Sequence, residues 1–110
     1  MVSRKVVFIN EKICYKYNDL NKSTSEDRII YEKLNAAFKK LLNKPNSGEY
    51  IQKDRIPKEY VKKGINDLYK YNLTRSWRLL YRLERNENLL FIVIIDWMPH
   101  KDYEILFGYN

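Results

Sequence analysis

His100 is the only histidine in the chain, and histidine is the only side-chain type here that ordinarily exchanges protons near neutral pH. It follows Pro99 at the end of an apolar segment, where it could act as general acid or base; a loop histidine without a role would look the same. Arg78 lies in Trp77-Arg78-Leu79-Leu80-Tyr81, where strict alternation sets it on the face opposite Trp77, Leu79 and Tyr81. A guanidinium stays charged and matches a phosphate bidentately, although an ordinary arginine on a sheet surface would fit the same pattern. Tyr103 could donate a hydrogen bond or stack on a base, or it could pack a C-terminal edge in a chain with ten tyrosines. Lys101, Arg75 in the turn before Trp77, and Lys53, Arg55 and Lys58 earlier in the chain could neutralise phosphates. The chemistry open to this set is proton transfer beside a charge-stabilised phosphate. A lone histidine argues against a two-histidine mechanism and a histidine-rich metal site, and the lone Cys14 excludes an internal disulfide and a cysteine metal site. No metal or cofactor is expected. Cys14 reads as a small buried side chain.

These groups need elements to hold them. Residues 5–9 are β-branched and aromatic and predict a first strand, after which Asn10 can cap a helix over 11–20 with Ile13, Tyr17 and Leu20 on one face. Ser23 and Glu26 have capping-box spacing ahead of a second helix reaching Asn43, with Ile30, Leu34, Ala37, Phe38 and Leu41 on its apolar face. Lys44-Pro45-Asn46-Ser47-Gly48 ends that helix. Residues 49–64 are mixed and basic, with one helical turn over 59–62. Strands follow over 66–73, 77–84 and 89–96, with a hairpin turn at 85–88. The last strand is apolar on both faces and therefore central, and Pro99 stops it. The expected class is α+β, in the order β-α-α-β-β-β: an N-terminal strand, joined at an edge, and a two-helix hairpin packed on a small twisted antiparallel sheet. Trp77 and Trp97 are expected in the core or in a partner groove rather than as platforms for bases.

A chain of 110 residues suits one domain over 1–110. The longest apolar run, Leu89 to Ile95, is far short of the ~20 residues that span a bilayer. Without a signal-peptide pattern, the expectation is a cytoplasmic protein with no membrane partner. The net charge is +7, and all of it lies in residues 1–63, which hold 15 Lys/Arg against 8 Asp/Glu; residues 64–110 hold 6 of each. Such a field attracts polyanions, although lysine is also a common solvated surface residue.

The ordered set Tyr71-Asn72-Leu73, Trp77-Arg78-Leu79-Leu80-Tyr81, Phe91-Ile92-Val93-Ile94-Ile95 and His100-Lys101-Asp102-Tyr103 resembles the RelE/ParE superfamily of toxins from toxin–antitoxin pairs. The likeness is specific over roughly the last 45 residues and loose before them. It implies a RelE-like microfold, and either mRNA cleavage in the ribosomal A site or inhibition of DNA gyrase. It also implies silencing by a cognate antitoxin, which here would be acidic and would cover the Arg78 surface. Arg78 occupies the family's catalytic arginine position, and His100 and Tyr103 stand in its closing tail. Some relatives use a glutamate as base earlier in the chain, which directs attention to Glu49 or Glu59; spacing does not choose between them. The leading expectation is therefore an mRNA interferase with mRNA and the ribosome as partners. It would cut by attack of a 2′-OH on the adjacent phosphate, without a metal. The alternatives are a ParE-like gyrase inhibitor with no catalysis, and an inactive relative that binds RNA or protein.

Overall fold

A computed structural model describes residues 2–22 and 24–108. These residues form four α-helices and a five-stranded mixed sheet. In chain order they are β1 (Ser3–Phe8), α1 (Glu11–Leu20), α2 (Ser25–Asn43), β2 (Glu49–Tyr50), α3 (Lys58–Lys62), β3 (Tyr69–Asn72), β4 (Trp77–Asn86), β5 (Leu89–Pro99) and α4 (His100–Phe107). Two 3-10 turns, Pro45–Ser47 and Lys53–Arg55, flank β2.

Local chemistry sets the helix starts. The Asn10 side chain accepts from the Ile13 N–H at 2.9 Å, and Thr24 accepts from the Asp27 N–H at 3.2 Å, each satisfying a donor that the first turn leaves free. Thr24 is thus the cap of α2; Ser23, expected in that role, lies outside the described residues. Glu26 and Asp27 add negative charge at the positive end of the helix dipole.

The strand order is β1-β5-β4-β3-β2. β3, β4 and β5 form the expected antiparallel meander, and β1 joins at an edge. Three features depart from expectation. β1 runs parallel to β5, so the sheet is mixed rather than antiparallel. A fifth strand, β2, pairs with β3 through only two residues, too few to leave an alternating pattern in the sequence. The segment after Pro99 is a helix, not a tail. Proline stops β5 but then stands just before α4, where its missing N–H costs nothing. Gly108, at φ 72°, closes α4 in the left-handed conformation.

A bulge in β5 divides the sheet's side chains between its faces. Leu80 pairs with Asp96 but Tyr81 pairs with Ile94, leaving Ile95 as the extra residue. Ile92, Ile94 and Trp97 can therefore all point to the helical pair, although strict alternation would turn Trp97 away. On that first face they pack with Ile13, Ile30, Leu34, Ala37, Leu41, Leu79 and Tyr81. Tyr17 of α1 lies against Tyr31 and Phe38 of α2 and Phe8 of β1 and hydrogen-bonds Asn35. The second face carries a smaller cluster of Leu80 and Ile95 beneath Ile51, Ile56, Tyr60, Ile65, Leu68 and Tyr103. Cys14, expected to be buried, is only partly covered, on the flank of α1.

Candidate functional site

The second face is where chemistry-bearing side chains gather. Arg78, on β4, pairs with Asn72 of β3 and Met98 of β5. Its Nη1 donates to two carbonyls of the β3–β4 turn, Thr74 (3.2 Å) and Arg75 (3.1 Å), and to that of Trp77 (3.2 Å), which opens β4. Carbonyl oxygens orient a guanidinium without neutralising it. Among the described residues no carboxylate pairs with Arg78, and its Nε is buried without a partner. The group is a half-buried, fixed and uncompensated cation.

His100 opens α4, and its backbone N–H donates to Ser76 O at 2.6 Å. The turn that holds Arg78 therefore also anchors the start of α4. The imidazole Nε2 lies 3.3 Å from Glu104 Oε1, one helical turn on. Its ring is nearly parallel to that of Tyr103, at 6.3 Å between centroids. Tyr103 itself is buried, packed on Phe107 at 4.4 Å and sharing the second core with Leu80. Its ring is part of the floor, so it is not available as a platform for a base.

Lys70 completes the group, and the sequence reading passed over it. Its Nζ lies 5.8 Å from the Tyr103 ring centroid and 3.0 Å from Glu49 Oε2. The signal was present: Lys70 alternates with Tyr69 and Tyr71, which pack on the first face, so its side chain belongs to the Arg78 face. The same pair brings Glu49 to the site. Glu59 instead lines a cleft with Lys16 and Asp96, beside α1.

The remaining candidates divide. Arg75 is exposed in the turn whose carbonyls hold Arg78, and Lys101 is exposed on the first turn of α4, next to His100. Arg55 and Lys58 line a groove with Ile105 and Gly108, at the far end of α4 from His100, and Lys53 borders a separate cavity with Val61 and Asn66. The structure brings Arg78, His100, Tyr103, Arg75 and Lys101 to one end of the sheet and leaves these three apart.

One buried phenol fixes the site's wall. Tyr81 donates to Pro45 O (2.8 Å) and accepts from the Gly48 N–H (2.9 Å). Burial pushes its pKa up to about 12, with the Gly48 hydrogen bond acting in the opposite sense. Burial likewise raises Tyr60 and Tyr69 on either side of the sheet. Among the described residues no group of three or more His, Cys, Asp or Glu side chains converges to hold a metal ion, and no helix is long and apolar enough to cross a membrane. No protein-family model, characterised protein or solved structure matches the chain.

Proposed function

We propose that the protein is a RelE-like toxin that cuts mRNA on the ribosome, held inactive in the cytoplasm by an acidic antitoxin over the Arg78 surface. One observation carries this reading. An uncompensated arginine and the only histidine are anchored to the same four-residue turn, Arg78 through the carbonyls of Thr74 and Arg75 and His100 through the 2.6 Å bond to Ser76. The reaction requires a base for the ribose 2′-OH, cations at the phosphorus centre and an acid for the departing 5′-oxygen. Glu49, held by Lys70, takes the 2′-OH proton as that oxygen bonds to phosphorus. Arg78 and Lys70 balance the charge that builds on the non-bridging oxygens. Protonated His100, oriented by Glu104, gives its proton to the 5′-oxygen as the P–O bond breaks. The products are a 2′,3′-cyclic phosphate and a 5′-hydroxyl; Tyr103 acts only as the floor that sets Lys70 and His100 apart.

A second reading has one observation in its favour. The Nη1 of Arg78 is already committed to the turn, as a purely architectural arginine would be. On that reading the protein is a ParE-like gyrase inhibitor without catalysis. Inducible expression in a bacterial host, with primer extension on cellular mRNA, separates the two. Fresh cuts inside translated codons, lost in Arg78→Ala and His100→Ala, are expected. Growth arrest with intact mRNA and inhibited supercoiling would move the assignment to gyrase, and no arrest would leave an inactive relative.

A further inference from the structure

An open cleft lies beyond the end of β2. Lys40 of α2, Ser47, Gly48, Glu49, Lys70 and Asn72 line it. Three features make it more than a patch of surface lysines. First, its wall is fixed. Tyr81 holds both Pro45 and Gly48, and the Ser47 hydroxyl donates to Lys44 O at 2.6 Å. Gly48 sits so close that a Cβ there would come within 2.7 Å of Lys70 O and of the Tyr81 hydroxyl. Second, the charge is one-sided. Glu49 is the only acid in the lining, and it is mostly exposed and already paired with Lys70. Among the described residues Lys40 has no acidic partner. Third, the cleft adjoins the site, because Lys70 lines the cleft while its ammonium reaches within 5.8 Å of the Tyr103 ring. β2 pairs only with Tyr69 and Lys70, so the strand edge at Asn72 is left open toward the cleft.

We propose that this cleft is a second phosphate subsite, in which Lys40 binds the RNA phosphodiester adjoining the one that is cleaved. The inference rests on the ribonuclease reading. A lysine ammonium is a point charge that contacts non-bridging oxygens whatever the base, so the subsite positions the chain and sets no sequence preference. The Asn72 amide supplies a neutral donor at the same opening.

The test separates binding from cleavage. Binding of a short, fully 2′-O-methylated RNA, which cannot be cut by 2′-OH attack, is measured by fluorescence anisotropy across a salt series. Lys40→Glu is compared with Lys39→Glu, which makes the same charge change at an exposed neighbour outside the cleft. Lys40→Glu should weaken binding about fivefold more than Lys39→Glu. Lys40→Ala should lower the slope of log K against log salt by roughly 0.7, as expected for one phosphate contact on a single strand. Lys40→Arg should restore both. Equal effects of the two reversals would mean a general field and would overturn the subsite. Wild-type binding that depends on Lys40, without cleavage in cells, would keep Lys40 as an RNA-phosphate contact but overturn both the ribonuclease reading and the placement beside a cleaved phosphodiester. Cleavage with Lys40-independent binding would keep the ribonuclease reading and overturn the subsite, and no RNA binding by the wild type would remove both.

Discussion

The two faces of the sheet are built by opposite rules. The first is closed by two capped helices over a cluster that includes Leu34, Leu41, Tyr81, Ile94 and Trp97, and among the described residues no charged one is buried there. The second is closed by short pieces, a five-residue and an eight-residue helix, over a smaller cluster, and its margin holds Lys70, Arg78 and His100. Burial of apolar area makes the first face the source of stability. The second holds cations half-buried against carbonyls and rings, an arrangement that gains little for folding but leaves charge available to a ligand. β4 serves both faces, with Leu79 and Tyr81 on one and Arg78 and Leu80 on the other.

The sharpest way to break this contrast is to empty the first face. Trp97→Ala should cost about 3–5 kcal/mol in chemical denaturation, because the side chain is almost wholly enclosed. A loss under ~1 kcal/mol would mean that the helical pair is not the main store of stability. On the second face, Arg78→Ala should lower RNA cleavage roughly a hundred- to a thousandfold. Its stability should change by only about 1 kcal/mol, the worth of the bonds to the turn. A comparable fall in the denaturation midpoint and in cleavage would make Arg78 architectural and favour the gyrase reading.

Tyr81 tests the strand that serves both faces. Tyr81→Phe removes the bonds to Pro45 and Gly48 and should cost about 1–2 kcal/mol. The sign of the pH effect follows from the raised pKa. The unfolded phenol ionises near the usual value of 10, and the folded one only near about 12. The contribution is therefore complete below pH 10 and is lost as pH climbs toward 12. Tyr81→Phe should flatten, without abolishing, the alkaline fall in stability, because Tyr17 is also raised to about 12 by burial. An unchanged alkaline limb would show that the phenol is not held as described.

Much of the first face was legible from periodicity. The apolar stripes of α1 and α2 and the alternation in β4 report one buried side each, so their bounds fell close to those observed. The second face was less so. α4 opens on Pro99-His100-Lys101-Asp102, which reads as a polar end; only Tyr103, Leu106 and Phe107, with Gly108 behind them, carry helical spacing. His100 stood out as the only histidine, and Arg78 because alternation turns it away from Trp77, Leu79 and Tyr81. Lys70 did not, being one lysine in a chain with 21 basic residues, and Glu49 came with it only through a contact between strands. Lys53, Arg55 and Lys58 were grouped with the site by charge and by their place in the loop before the sheet, and neither carries an address.

The parallel pairing of β1 with β5 has a consequence in time. Ser3 finds its partner at Leu89 and Phe8 at Ile94, so β1 can pair only after β5 has been made. The β4–β5 hairpin can close within microseconds by local search, whereas β1 must wait through a long loop closure before it gains a single ladder bond. Until then Val6 and Phe8, which later pack on the helical face, stay exposed on an unpaired strand. The edge strand should accordingly contribute little to the folding transition state, and Val6→Ala should speed unfolding while leaving the folding rate nearly unchanged.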